Sequence, residues 1–179
     1  MAFPTENELD VLFTGNKAQL NHLVEANKER LNRYGITGEE LEELEDEPLK
    51  ERIVQVFSFI YSVVVDWREY DDEIIRLFGK IIPEEVEVEE NDEGLLVHVD
   101  HAAYPVKLSF SPKDRYITIK AFNEIIKDKY ELRLFEASYY SDTHEFLLLP
   151  NETWDSLAKK YSQQVEQIFR PIDPDLDFP

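Results

Sequence analysis

The chain has 179 residues, of which 42% are apolar and 12% aromatic, enough for a well-filled hydrophobic core. It has no cysteine, which excludes disulfide scaffolds, thiolate zinc sites, iron–sulfur clusters and cysteine nucleophiles. Its 39 acidic and 19 basic residues give a net charge of −20, which repels nucleic-acid phosphate and disfavours direct binding of nucleic acid.

Residues 1–83 are predicted to be mainly helical. Thr5 and Glu8 have the spacing of a capping box, and Asn16 is a second candidate N-cap. Apolar residues then recur at helical spacing up to Gly35, a residue well suited to end a helix. We therefore expect amphipathic helices in this first part of the chain.

Residues 48–67 are apolar on nearly every face of a helical wheel, which predicts a buried helix. Their β-branched content is also compatible with a strand over residues 53–65, and periodicity does not separate the two alternatives. The next apolar group, residues 74–78, predicts a short helix with Asp71 or Asp72 as its N-cap.

The apolar period changes to two over residues 84–149, which predicts five or six short antiparallel strands. Residues 115–126 and 129–140 are assigned to one long hairpin. Residues 150–170 predict a C-terminal helix with Asn151 as N-cap and Trp154 in its buried stripe, and residues 171–179 predict an extended tail.

These elements predict an α+β fold, in which N-terminal helices pack on one face of an antiparallel five- or six-stranded meander, with a C-terminal helix. No flexible linker interrupts the sequence, so residues 1–179 are expected to form a single domain. The first ten residues lack the features of a secretory signal, and no apolar run reaches the roughly 18–20 residues of a transmembrane helix. We therefore expect a soluble protein that binds no membrane, with the cytoplasm as its default location.

The histidines raise the question of a catalytic or metal site. Strand alternation places His98 and Asp100 on the same face of one strand, and His144 is a third candidate from another strand. Two ligands are too few for zinc, and the spacing matches no metal motif. We therefore expect solvent-facing strand residues here, with no metal and no cofactor.

Two further groups of polar residues have a structural and a chemical interpretation. Ser141, Asp142 and His144 have the residue types of a nucleophilic triad, but adjacency in sequence does not support triad geometry, and a turn is the better interpretation. Residues 66–73 hold five carboxylates and one arginine, a group compatible with a divalent cation but more typical of an acidic helix start.

Two segments concentrate the negative charge. The first acidic segment, residues 37–47, and the second acidic segment, residues 84–93, each hold seven acids and no base. Such a field attracts a basic protein and speeds the encounter, whereas the simpler alternative is that the charge only maintains solubility. The carboxylates expected to contact a basic partner are Glu39, Glu40, Glu42 and Glu43 in the first segment and Glu84, Glu85, Glu87 and Glu89 in the second.

The charge and the histidines support three hypotheses. The leading one is a non-enzymatic acidic binding module that neutralises a basic protein, as inhibitors and immunity-type proteins do, or that mimics nucleic acid. The second is a metal-dependent or acid–base enzyme with a site built from His98, Asp100 and His144. The third is a housekeeping protein whose charge keeps it soluble.

Overall fold

The chain folds into two compact units. The computed structural model describes residues 3–36, 38–109, 111, 114–176 and 178. A helical unit comprises residues 4–62, and a mixed unit comprises residues 63–179 together with the segment at Phe3. The single domain expected for residues 1–179 stays a prediction.

Short helices make up the helical unit, and their starts follow the predicted caps. The Thr5 N–H donates to the Glu8 carboxylate at 2.7 Å, and the Asn16 side chain accepts from the backbone of Ala18 and Gln19, so both predicted caps are confirmed. Gly35 has the positive φ of 77° that favours glycine after a helix. The elements are α1 (Glu6–Thr14), α2 (Lys17–Ala26), α3 (Lys28–Arg33), α4 (Gly38–Glu43), a 3-10 turn (Leu44–Asp46) and α5 (Leu49–Tyr61).

The segment that was ambiguous between helix and strand contains both. Helix α5 ends at Tyr61, and strand β1 (Val63–Asp66) begins two residues later. The buried helix predicted for residues 48–67 is therefore confirmed up to Tyr61 and wrong beyond it. The three consecutive valines at 63–65 have stiff β-branched side chains that suit a strand, and β1 pairs with a strand far along the chain.

The mixed unit combines helices with two antiparallel sheets. Its elements are β1, α6 (Asp71–Gly79), β2 (Val86–Asn91), β3 (Gly94–Val99), β4 (Ala102–Lys107), α7 (Asp114–Ile126), β5 (Tyr130–Phe135), a 3-10 turn (Glu136–Ser138), β6 (Thr143–Pro150), α8 (Asn151–Ile168) and β7 (Phe169–Pro171). The described strands form one sheet in the order β1-β6-β5-β7 and another in the order β2-β3-β4. The α+β class is confirmed, but the single five- or six-stranded meander is wrong.

The meander fails because residues 115–126, predicted as one strand of a hairpin, lie in helix α7. The fully buried residues of α7 are Thr118, Ile119 and Phe122, which are spaced as on one face of a helix. This helix separates β4 from β5 along the chain, so the later strands join β1 in a sheet of their own. Phe122 packs against Phe78 of α6, and Phe78 packs against Phe146 of β6, with 5.6 Å between ring centroids in each pair.

The C-terminal helix predicted for residues 150–170 is confirmed as α8, and Trp154 is only 1% exposed. Asn151 is the first residue of this helix rather than its N-cap, and its side chain instead donates to the Lys127 carbonyl at 2.8 Å. Phe169 and Arg170, predicted as the end of this helix, lie instead in β7, which pairs with β5 and includes only Pro171 of the expected tail. Similarly, Tyr70 occupies the N-cap position of α6, where Asp71 or Asp72 was expected, because Asp71 accepts a hydrogen bond from the Thr118 hydroxyl.

Candidate functional site

The three residues of the histidine–carboxylate hypothesis lie on separate elements. His98 is on β3 of the three-stranded sheet, and His144 is on β6 of the four-stranded sheet. Asp100 follows β3 in the two-residue turn to β4, with a left-handed φ of 51°. The predicted common strand face of His98 and Asp100 is therefore wrong, because the left-handed backbone at Asp100 ends the strand alternation.

Asp100 is used in closing the end of the three-stranded sheet. Its backbone N–H donates to the Glu85 carbonyl at 2.9 Å, and its Oδ1 accepts from the Glu85 N–H at 3.4 Å. Aspartate tolerates the left-handed conformation because its short side chain bonds locally. His98 is half-buried and its strand neighbours are Glu87 and Ala103; its Nε2 is buried and has no hydrogen-bond partner among the described residues.

His144 is only 1% exposed, so the expectation that it faces solvent is wrong. Its Nε2 lies 3.3 Å from the Tyr139 carbonyl, and its ring contacts those of Tyr116 and Phe178 edge to face. Burial lowers the pKa of His144 below its ordinary value of 6.5, and the hydrogen bond to Tyr139 opposes this shift only in part. The neutral ring with its proton on Nε2 fits this carbonyl acceptor.

The other two polar groups of the sequence are also held by local partners. The Ser141 hydroxyl oxygen accepts from the Thr143 N–H at 3.2 Å, which confirms the predicted turn. In the 66–73 group, Asp66 pairs with Arg68, Asp72 with Arg76 and Glu73 with Lys80, at 3.0, 3.4 and 3.4 Å. Within the described parts of the chain, no three histidine or carboxylate side chains are grouped so that they could hold a metal ion.

The first acidic segment presents its carboxylates to solvent from a helix that buries none of its residues. Glu39, Glu40, Glu42 and Glu43 are all exposed on α4. Among the described residues, Glu39, Glu42 and Glu43 have no ion-pair partner, and no base lies in the last turn of the helix. Leu44, in the 3-10 turn that follows, is the buried residue that ties this segment to the helical unit.

Two electrostatic effects act on the glutamates of α4. Glu42 and Glu43 lie at the negative end of the helix dipole, where an acid is unfavourable by about 0.3–1 kcal/mol for a partly screened site. Glu39 is also three and four residues before them, and like charges at this spacing repel by a few tenths of a kcal/mol. The dipole therefore favours Glu39 and Glu40, which lie in the first turn of the helix, and disfavours Glu42 and Glu43 at its end.

The second acidic segment divides into a structural end and a solvent-facing face. Glu84 is only 10% exposed in its side chain and accepts from Lys129 at 2.7 Å and from the Tyr130 hydroxyl at 3.2 Å. Burial by itself raises the pKa of Glu84, but the bonds from Lys129, a backbone N–H and Tyr130 outweigh it and lower that pKa below 4.5. Glu85, Glu87 and Glu89 are exposed and have no ion pair in the part of the chain that the structure describes.

Two arginines were missed by the sequence analysis. Arg52 of α5 has a side chain only 15% exposed, with Nη2 4.0 Å from Glu45, while Arg115 of α7 donates from Nη1 to the Trp67 carbonyl at 3.0 Å. The Nε of each is buried and has no hydrogen-bond partner among the described residues. For Arg52 the available signal was a base within a helix that is otherwise apolar on most faces, a position where a charge needs a partner.

Comparison with protein-family models, with curated proteins and with solved structures finds no match to this chain. In the described residues, no helix combines the length and the apolar character that crossing a membrane requires.

Proposed function

We propose that this protein is a non-enzymatic binding module that captures a basic protein through its acidic segments, in the manner of an inhibitor, an immunity-type protein or a nucleic-acid mimic. The observation that carries the proposal is the first acidic segment, where a helix that buries none of its residues holds four exposed carboxylates. Glu42 and Glu43 lie at the end of their own helix where acids are unfavourable, and such departures from local rules are expected at functional sites. A cytoplasmic location is part of the proposal.

The negative electrostatic field of the exposed carboxylates would act mainly on the rate at which the partner associates. Exposed carboxylates raise the local concentration of a basic partner and its association rate, and this effect falls as salt shortens the screening length. On the mixed unit, Glu85, Glu87 and Glu89 are exposed, whereas the carboxylate of Glu84 is already bonded to Lys129. We therefore assign Glu84 a supporting role and the exposed glutamates the contact role.

The test is capture from a lysate of the source organism with four immobilised proteins. They are wild type, an α4-Gln variant, a β2-Gln variant and a control variant, and each variant loses four negative charges. The changes are to glutamine at Glu39, Glu40, Glu42 and Glu43; at Glu85, Glu87, Glu89 and Glu90; and, in the control, at the exposed Glu29, Glu51, Glu152 and Glu166.

The expected result is a basic protein that wild type and the control variant retain at about 100 mM salt and lose at about 1 M, where the Debye length falls from about 10 Å to about 3 Å. The α4-Gln variant is expected to lose it at both concentrations, and the β2-Gln variant to retain less of it than the control. An equal loss of capture in all three variants relative to wild type would mean that total charge alone acts, and would contradict the role of the acidic segments. No captured basic protein at either salt concentration would contradict the proposal.

A further inference from the structure

The helical unit has a groove beside the first acidic segment. It has a volume of about 290 Å³ and lies between α2, α5 and the α4 segment with its 3-10 turn. Leu20 and Val56 form its buried floor, and Val24 and Leu41 line it as half-buried residues. This volume is at the lower limit of the roughly 300–1,000 Å³ of ligand pockets, so it suits one or two inserted side chains rather than a cofactor.

The polar residues of the groove give it a mixed character that suits a peptide. Glu25, Glu42 and Glu45 supply carboxylates, and Arg52 supplies one positive charge, which lies 4.0 Å from Glu45. Glu25 lies 3.9 Å from Lys28 in an exposed pair, so Glu42 is the lining carboxylate that has no ion-pair partner among the described residues. The buried Nε of Arg52 has no acceptor in the described residues, and a peptide carbonyl is an acceptor of the right kind.

We propose that this groove binds a basic peptide segment of the partner, whose apolar side chain inserts onto the floor of Leu20 and Val56 while a flanking lysine or arginine pairs with Glu42. The inference rests on the proposed function and deepens it, because it names what the partner presents. The acidic field alone selects only positive charge, whereas an apolar floor beside Glu42 selects an apolar residue flanked by a basic one.

The test uses two synthetic peptides, acetyl-Lys-Lys-Leu-Lys-Lys-amide and the same peptide with serine in place of leucine. Their binding to the full chain is followed by amide chemical shifts in ¹⁵N-labelled protein, up to about 5 mM peptide, above the millimolar range of weak contacts. The leucine peptide is expected to bind about tenfold more tightly, because only it places an apolar side chain in the groove. Its largest shifts are expected at Val24, Leu41 and Val56.

A matched pair of variants tests the location. Asn21→Trp fills the groove from an exposed lining position, and Asn32→Trp makes the same change at an exposed position of α3 outside the groove. Asn21→Trp is expected to abolish the preference for leucine, and Asn32→Trp to leave it intact. Thermal unfolding of both variants checks that neither change disturbs the fold.

The outcomes separate this inference from the function on which it rests. Equal binding of both peptides, weakened alike in the α4-Gln variant, would overturn the groove and leave the electrostatic function standing. An unchanged leucine preference in Asn21→Trp would also overturn the groove, as would the absence of shifts with either peptide. A leucine preference that Asn21→Trp removes would support the groove even if lysate capture found no partner, and in that case the proposed function alone would fail.

Discussion

The two acidic segments have the same charge composition but different structural surroundings. Each holds seven acids and no base. In the second segment, β2 alternates, so that Val88 is buried opposite Val97 while Glu87 and Glu89 face solvent, and Glu84 is fixed by Lys129. In the first segment, α4 buries none of its own residues and Leu44 of the next turn is the buried contact.

The difference shows that charge composition alone does not distinguish an acid bonded within the fold from an acid exposed to solvent. Glu84 was grouped with the partner-binding residues by its sequence neighbours, yet its carboxylate is bonded within the fold. The glutamates of α4 have the same neighbours in sequence and no such bonds for Glu39, Glu42 and Glu43 in the described residues. The hydrogen bonds and ion pairs of a surface acid are therefore better evidence of its role than the number of acids beside it in the sequence.

The largest difference between the segments is expected in hydrogen exchange. The amides of β2 that donate to β3 should exchange at least about 100-fold more slowly than those of α4, because opening β2 exposes a buried valine and opening α4 exposes no buried residue of its own. Hydrogen–deuterium exchange followed by mass spectrometry measures both segments in one sample. Equal protection in the two segments would contradict the comparison.

A pair of truncations should show the same contrast in stability. Val88→Ala removes two buried methyl groups and is expected to lower the free energy of unfolding by about 1.5 kcal/mol, plus a smaller cavity contribution. Leu41→Ala, at a half-buried position of α4, should cost less than Val88→Ala. Urea denaturation of the two variants measures the order, and a larger loss at Leu41 would show that α4 is the better anchored segment.

The pH dependence of stability should identify Glu84 as a structural acid. Because its folded pKa is lowered below 4.5, its bonds stabilise the fold above the unfolded pKa, and this stabilisation is lost as pH falls through the folded pKa. Glu84→Gln should therefore be less stable than wild type at pH 7, and this difference should shrink as the pH falls below 4.5 through the folded pKa. Urea denaturation at each pH measures the difference, and the matched change Glu87→Gln, at an exposed position of the same segment, controls for the loss of one charge.

Much of the fold follows from local patterns, whereas the sheets depend on contacts that are distant in sequence. The capping box of Thr5 and Glu8 and the buried stripe of α8 involve residues within a few turns of one another, and both were predicted. The error at residues 115–126 arose because Tyr116, Thr118 and Lys120 alternate with apolar residues as in a strand. The helical spacing of Ile119, Phe122 and Ile126 is the pattern that the packed core selects.

The candidate site was predictable only in its exposed part. The solvent exposure of the α4 glutamates follows from their density along one short helix, with little apolar surface to bury. His98 and Asp100 do not share a strand face because Asp100 itself has a left-handed backbone, which the alternation of strand residues does not predict. The groove at Arg52 is formed by helices that are brought together in the tertiary structure, so no local pattern indicates it.

The smallest expected effect is that of salt on thermal stability. Raising salt from about 10 to about 150 mM shortens the Debye length from about 30 Å to about 8 Å, so repulsion within the negatively charged chain weakens. We expect the melting temperature to rise by a few degrees, and by less in the α4-Gln variant, which has fewer repelling charges. A melting temperature that stays constant or falls as salt rises would mean that nearby positive charges already neutralise the carboxylates in the folded protein.

The central claim is that the exposed carboxylates of the first acidic segment speed the capture of a basic protein. Its most direct test is the association rate of the captured partner against ionic strength, for wild type and for the α4-Gln, β2-Gln and control variants. The wild-type association rate should fall steeply as salt rises. At low salt the α4-Gln variant should associate at least about tenfold more slowly than wild type, with a nearly unchanged dissociation rate, because surface charges act mainly on association. A wild-type rate that ignores salt, or an α4-Gln rate equal to that of the control variant, would contradict the claim and leave solubility as the role of the charge.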